Sequence, residues 1–245
     1  MASVTIEQKF CGPPTSGNGG YCAGLLARHF KGPATAVLRA RIPLDVALGL
    51  DVAPEEASLR DLEGGLIAQA RAAEPMPPLE IPKAPSLQAA REAEARHIGI
   101  GQRFHPICFC CGPEREAGDG LRVFAGQIAG APEGHLACTW VPHANFADAD
   151  GLTPIEIIWG ALDCPGYFAW VVKEGRHGAL LGTMTGDVLR QPKAGETCII
   201  TAWPLIRDGR KETSGVALHS ADGELLAFAH QVWIVMSFPT PPSAP

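Results

Sequence analysis

The chain has 245 residues, with 20 Lys and Arg against 26 Asp and Glu, so its formal net charge at pH 7 is −6. Hydrophobic residues make up 46% and charged residues 19%, which is typical of a globular protein with one large or two small domains. Its 28 glycines and 22 prolines are too few for a collagen-like or wholly disordered chain. The acidic balance, without a run of Lys or Arg, argues against a nucleic acid or an anionic membrane as the main partner.

The first residues and the cysteines predict the cellular compartment of the protein. The first ten residues include Glu7, Gln8 and Lys9, with no apolar segment behind them, so they do not form a secretory signal. No uninterrupted apolar stretch reaches the roughly 18–20 residues that cross a bilayer. The eight cysteines are scattered, and we expect free thiols in a reducing compartment. The sequence predicts a cytoplasmic protein without a membrane span.

A proline-rich segment separates two related halves. Five prolines lie between Glu74 and Pro85, which favours an extended linker, and a short helix capped by Ser86 is predicted over Ser86–His97. On either side, residues 59–73 and 218–232 match at a constant offset of 159, with five identical positions. Both segments have the pattern of a strand, a tight turn at Gly64 or Gly223, and a second strand. The sequence therefore predicts an internal repeat.

Each half also contains one predicted helix upstream of its hairpin. In the second half, Thr153 and Glu156 form a capping-box pattern, and apolar residues recur at helical spacing from Ile155 to Leu162. In the first half, a weaker helix is predicted over Tyr21–Phe30.

Strand-like stretches follow these helices at 36–44 and 180–189, so each half is predicted to be an α+β unit with one long helix and an antiparallel meander. The predicted divisions are a first repeat, a linker with its connecting helix, a second repeat and a tail, over residues 1–74, 75–97, 98–238 and 239–245.

Three short segments resemble the acyl-CoA thioesterase II family, whose members have a double hotdog fold. Residues 19–24 (GGYCAG) are similar to the start of its helix, residues 182–184 (GTM) to its Thr strand, and residues 226–231 (LAFAHQ) to its Gln strand. Residues 108–113 (CFCCGP) also resemble the opening of many single-hotdog thioesterases. The resemblance implies two tandem hotdog repeats, each a central helix wrapped by an antiparallel sheet.

The resemblance also implies a catalytic set in the second half. In the family an Asp, a Thr and a Gln hold the hydrolytic water, and these correspond to Asp163, Thr183 and Gln231. Asp163 would be the base or a nucleophile that forms a mixed anhydride, and partial burial would raise its pKa. The first half has Ala27 and Ala72 at the positions matching Asp163 and Gln231, so we expect it to keep the shape without the chemistry.

Each of these assignments has a structural alternative. Asp163 could be an ordinary helix residue, Thr183 an ordinary strand residue, and Gln231 a hydrogen-bonded amide in a strand that is apolar on both faces. For the oxyanion, the N–H groups of Gly19, Gly20 and Tyr21 are candidates, with Asn18 helping to orient the carbonyl; a plain glycine-rich loop is the alternative. Cations are available for coenzyme A phosphates at Arg190, Lys193, Arg207, Arg210 and Lys211.

The cysteines around position 108 invite other interpretations. Cys108 and Cys111 have C-x-x-C spacing, but no second ligand pair lies at zinc-site spacing, so a tight turn is favoured and no metal is expected. Cys164 could be a nucleophile, yet Pro165 follows it and no His and Asn partner set is visible.

The hypothesis is an acyl-CoA thioesterase with one active site per chain at the seam between the halves. Its substrate would be an acyl-CoA or acyl-carrier-protein thioester, no separate cofactor is expected, and a homo-oligomer is left open. The alternatives are a non-catalytic double hotdog protein that binds acyl thioesters or lipids, and a hotdog hydratase or dehydratase. The hydratase pattern of an Asp followed five residues later by a His is absent from both predicted helices.

Overall fold

The computed structural model describes residues 2–73, 75–76, 78–102, 105–175 and 178–236. The predicted tail, residues 239–245, lies outside them. The helices are α1 (Gly19–Ala27), α2 (Leu87–Glu94), α3 (Ile98–Gln102) and α4 (Ile155–Glu174). The strands are β1 (Ala2–Thr5), β2 (Ala34–Leu38), β3 (Ala47–Val52), β4 (Ala57–Arg60), β5 (Leu66–Ala72), β6 (Gly126–Gln127), β7 (Leu136–Trp140), β8 (Ala179–Val188), β9 (Cys198–Asp208), β10 (Lys211–Ser220) and β11 (Leu225–Val235).

The described strands form one antiparallel sheet in the order β1-β3-β4-β5-β2-β8-β11-β10-β9-β7-β6. Strand β2 pairs with β8 and so joins the sheet of the first half to that of the second. Helices α1 and α4 pack against each other, α1 against strands of the first half and α4 against strands of the second. Apolar side chains from both halves form one hydrophobic cluster around this helix pair. The α+β double hotdog architecture is confirmed.

The internal repeat is confirmed by strand register. Leu59 pairs with Ala68 in the first hairpin, and Leu218 pairs with Ala227 in the second, which keeps the offset of 159. In both hairpins the register shifts immediately after the leucine. The two hairpins therefore share a β-bulge as well as a sequence pattern. The domain boundaries themselves stay a prediction.

Helix α1 differs from its predicted span. It begins at Gly19 and ends at Ala27, whereas the sequence predicted 21–30. The side chain of Asn18 accepts a hydrogen bond from the Tyr21 N–H at 2.9 Å and caps the helix two residues earlier. The preceding glycine-rich segment therefore belongs partly to the helix.

Helix α4 begins as predicted, but the prediction of a capping box at its start is wrong. Pro154 occupies the N-cap position without a side-chain cap. The Thr153 hydroxyl is buried and has no hydrogen-bond partner among the described residues. Glu156 instead pairs with Arg28 at 2.7 Å, which ties α4 to the end of α1.

Two other elements test local predictions. Helix α2 is capped by Ser86, as predicted. Strand β2 ends at Leu38, six residues before the predicted strand end, because the N–H groups of Arg39 and Ala40 both donate to the Ile67 carbonyl. The ladder stops there, and the segment that follows becomes part of a pocket wall.

Among the described residues, α4 is the one helix long and apolar enough to cross a membrane. Most of it is buried inside the protein, as is typical of a core helix.

The contact between α1 and α4 depends on the missing side chain of Gly20. A Cβ at this position would lie 2.6 Å from the Asp163 Cβ and closer still to the Trp159 main-chain oxygen. We expect Gly20→Ala to lower the free energy of unfolding by about 1–3 kcal/mol, as overpacking does. Urea unfolding measures this.

Gly101→Ala is the matched control, because a Cβ on this residue of α3 would meet nothing within 4 Å. It should leave stability unchanged or raise it by up to about 1 kcal/mol. Equal effects of the two substitutions would contradict the close helix contact.

Candidate active site at the seam between the halves

The N-terminus of α1 faces the middle of α4. Asn18 lies immediately before α1, and its Nδ2 donates to Oδ2 of Asp163 at 2.7 Å. Gly20, the second residue of α1, contacts the same aspartate and brings its main-chain N–H toward the carboxylate. The two halves thus contribute different groups to one site: a helix N-terminus from the first and a carboxylate from the second.

The environment of Asp163 favours the protonated carboxyl more than water does. Its side chain is only 4% exposed, and this burial raises its pKa to about 7. The N–H of Gly20 and the amide of Asn18 lower the pKa and so oppose part of the shift. Oδ1 is buried and has no hydrogen-bond partner among the described residues. One carboxylate oxygen is therefore fixed by the protein, and the other can accept a further hydrogen bond.

Asn18 has two structural roles that sequence reasoning did not assign. Its Oδ1 caps α1 through Tyr21, and its Nδ2 holds Asp163, with the residue 1% exposed. The cap hydrogen bond takes the Tyr21 N–H away from the set of oxyanion donors expected from the sequence. The N–H groups of Gly19 and Gly20 lie in the first turn of α1, where N–H groups have no intrahelical partner.

Gln231 lies behind Asp163 on the main-chain side of α4. Its Nε2 donates to the carbonyl oxygens of Leu162 at 2.8 Å and Asp163 at 3.2 Å. Its Oε1 accepts from the indole N–H of Trp233 at 3.0 Å, and the residue is fully buried. The amide therefore contacts the backbone of α4, and no hydrogen bond among the described residues joins it to the Asp163 carboxylate. This arrangement matches the core-amide alternative.

Thr183 is also separate from the carboxylate. It is half-buried in β8, opposite Val232 and Val37. Its neighbour Met184 is fully buried and has its sulfur near the Gln231 amide, so strand alternation directs Thr183 to the other face. Of the three residues implied by the resemblance, the structure brings only Asp163 to the seam with its carboxylate directed at the α1 N-terminus.

A pocket of about 590 Å³ adjoins this carboxylate. Asn18, Gly19 and Asp163 lie on its wall, and the rest of its lining is largely apolar, with Leu181 and Trp233 among the contributors. Its dimensions fall in the range of small-molecule sites, which are concave and mostly apolar with a few polar groups.

Two exposed cations, Arg39 and Arg41, also line this pocket, and sequence reasoning missed them. None of the basic residues proposed from the sequence for phosphate binding lines it. Arg190 is instead held on the surface by Glu196 at 2.8 Å and Glu224 at 2.9 Å. A signal in the sequence could have identified them. Arg39 and Arg41 alternate with Ala40 after β2, which places both arginines on one side of an extended segment.

Comparison with known proteins gives the fold context. No protein-family model matches the sequence, and no curated protein sequence matches it. A candidate thioesterase from Novosphingobium aromaticivorans DSM 12444 has a TM-score of 0.61 at 13% identity, over 96% of this chain and 95% of that chain. A candidate thioesterase II from Thermobifida fusca YX has a TM-score of 0.61 at 16% identity, over 96% of this chain and 91% of that chain.

A conserved protein of unknown function with a hot dog fold, from Alicyclobacillus acidocaldarius, has a TM-score of 0.66 at 13% identity, over 97% of this chain and 93% of that chain. Identities this low establish the fold alone. The chain is a double hotdog protein, as its sequence resemblance predicted, and it shares its architecture with structures described as candidate thioesterases.

Proposed function

We propose that this protein hydrolyses acyl thioesters, with an acyl-CoA as substrate and one active site per chain at the seam between the halves. The observation that carries the proposal is the Asp163 carboxylate. It is buried and fixed through one oxygen by Asn18, its Oδ1 has no hydrogen-bond partner among the described residues, and the residue lines a largely apolar pocket. The likeness of the fold to candidate thioesterases supports the same activity.

The proposed reaction uses water as its only co-reactant. A water hydrogen-bonded to Oδ1 of Asp163 gives its proton to the carboxylate as its oxygen attacks the thioester carbonyl carbon. The N–H group of Gly19, at the positive end of α1, stabilises the oxyanion of the tetrahedral intermediate, because the Gly20 N–H is directed at Asp163. The carbon–sulfur bond then breaks, and the proton held by Asp163 passes to the departing thiolate. The products are a carboxylic acid and a free thiol.

The pocket suits the two ends of such a substrate. Its apolar lining would hold the acyl chain, and Arg39 and Arg41 would pair with the phosphates of coenzyme A. An acyl-carrier-protein thioester carries a phosphate at the corresponding place. The eight cysteines are free, which fits the proposed cytoplasmic location.

One observation favours the alternative of a protein that binds acyl thioesters without hydrolysing them. Thr183 and Gln231 do not meet Asp163 to hold a water, because the amide of Gln231 is engaged by main-chain carbonyls. Turnover measurements separate the two functions.

Replacing the base should abolish most of the activity. We expect Asp163→Asn to keep the hydrogen-bonding shape of the side chain and to lower kcat/KM by about 10²–10⁴-fold, the range for loss of a general base. Thiol release from short, long and aromatic acyl-CoAs measures this. Asp187→Asn, on β8 and away from the pocket, is the matched control.

Unchanged turnover in Asp163→Asn would overturn the assignment of the base. If wild type releases no thiol from any acyl-CoA while acyl-CoA still raises its Tm, the result would contradict hydrolysis and support the binding function.

Gln231→Ala separates a structural from a water-holding amide. The substitution removes the amide donor from the Leu162 carbonyl and leaves the Trp233 indole N–H without its acceptor in the core. We expect a loss of about 1–3 kcal/mol in the free energy of unfolding, measured with urea. Gln191→Ala is the control, because that half-buried amide also donates to a main-chain oxygen. A large fall in kcat at unchanged stability would instead support the water-holding role.

We expect Arg39 and Arg41 to bind the phosphates of coenzyme A and to make no contribution to binding of the thioester group. We expect the double substitution Arg39→Glu and Arg41→Glu to raise KM for acyl-CoA on the order of tenfold, since exposed ion pairs are individually weak. KM for an N-acetylcysteamine thioester, which lacks phosphates, should not change. The control is Arg210→Glu with Lys211→Glu, at residues that do not line the pocket. Equal effects on both substrates would contradict phosphate binding.

A further inference from the structure

Three buried cysteine sulfurs converge next to the site. Cys108 and Cys111 come from the segment before β6, and Cys164 comes from α4, immediately after Asp163. The three Sγ atoms all lie within 4.8 Å of one another, and those of Cys108 and Cys164 are 3.6 Å apart. The residues are 2%, 2% and 8% exposed. This cluster, called the thiol triad below, has no part in the proposed hydrolysis.

One separation within the triad is that of metal-bound thiolates. A zinc–sulfur distance of about 2.3 Å in tetrahedral geometry places two sulfurs about 3.8 Å apart. The Cys108 and Cys164 sulfurs, 3.6 Å apart, lie close to this value, and the other two separations are at most 4.8 Å. Small rotations of the side chains would therefore bring all three sulfurs onto one ion.

The segment that carries two of the thiols forms a tight turn. The turn is closed by the Gly112 N–H, which donates to the Cys108 carbonyl at 2.8 Å. A Cβ on Gly112 would lie 2.7 Å from the Cys108 nitrogen, so this tight turn requires glycine. The turn therefore fixes Cys108 and Cys111 relative to each other.

Cys110, in the same segment, has a different environment. Its sulfur lies 3.7 Å from the Ala161 carbonyl in α4, to which it donates. That carbonyl would normally accept from the residue four positions on, which is Pro165 and has no N–H. Cys110 thus donates to a helix carbonyl that lacks its usual partner, whereas the triad sulfurs lie close to one another.

We propose that the thiol triad binds one thiophilic d¹⁰ metal ion, Zn²⁺ or Cu⁺. Soft thiolate ligands select these ions. The three thiols lose their protons as the ion binds, and the sulfurs become its ligands. Three thiolates suffice for Cu⁺, whereas Zn²⁺ takes a fourth ligand. Cys108 and Cys164 also line the pocket, so a water on the pocket side can supply it. The ion would fix the segment before β6 to α4 beside Asp163.

Metal analysis of the full-length chain tests this. The protein is purified with its thiols reduced, loaded separately with Zn²⁺, Cu⁺ or Co²⁺ and desalted. We expect one ion per chain by elemental mass spectrometry, and the competition between Zn²⁺ and Cu⁺ identifies the preferred ion. The Co²⁺ form should show intense sulfur-to-metal charge-transfer absorption.

Single substitutions locate the ligands. Cys108→Ser, Cys111→Ser and Cys164→Ser should each lose the ion, with folding checked by far-ultraviolet circular dichroism. Cys198→Ser should retain it, because that buried thiol lies on β9 and donates to the Glu196 carbonyl. Asp163→Asn should also retain one ion, so the metal site is tested independently of thioester hydrolysis.

Three outcomes would overturn the proposal. The first is that reduced wild type retains none of the three ions. The second is that Cys198→Ser loses the ion as the triad variants do. The third is a metal-free protein whose mass and tryptic peptides show a disulfide between Cys108 and Cys164. The first and third are read on wild type, so they do not depend on whether a variant folds.

Discussion

The hydrogen bond between Asn18 and Asp163 is the interaction on which the candidate site depends. It joins residues 145 positions apart and spans the seam between the two halves. A carboxylate this deeply buried loses the solvation of water, and the loss must be compensated by protein donors. Asn18 can provide one because its own orientation is fixed by capping α1. The same short segment therefore starts a helix and holds the reactive group of the other half.

The packing at the seam fixes the positions of Asn18 and Asp163 relative to each other. Strands β2 and β8 pair in a fixed register, and the hydroxyls of Thr35 and Thr185 share a hydrogen bond of 2.9 Å across it. On the inner side, Gly20 allows α1 to approach α4 closely. The strand pairing and the helix packing therefore both fix the position of the first half relative to the second. The two halves of the duplicated fold therefore contribute different groups to the site. The first half supplies N–H donors, and the second supplies a carboxylate.

The backbone of α4 around Asp163 is held by side chains from the surrounding elements. Gln231 reaches the carbonyls of Leu162 and Asp163, and the Ser214 hydroxyl donates to the Gly166 carbonyl at 2.8 Å. Hydrogen bonds of this kind anchor a helix that contains a proline and would otherwise bend freely at that point. The strand that resembles the Gln strand of thioesterases therefore supports the catalytic candidate from behind.

The sequence by itself determined the repeated hairpins, the central helix of the second half and the aspartate on it. These are local features: strand alternation and turn glycines set the registers of Leu59 and Leu218, and apolar spacing sets α4. Only the tertiary structure decided that Asn18 meets Asp163, that Gln231 turns to the main chain, and that Arg39 and Arg41 reach the pocket. It alone brings Cys164 to Cys108, 56 residues away. These contacts depend on how whole elements lie against one another, and no short-range periodicity encodes that placement.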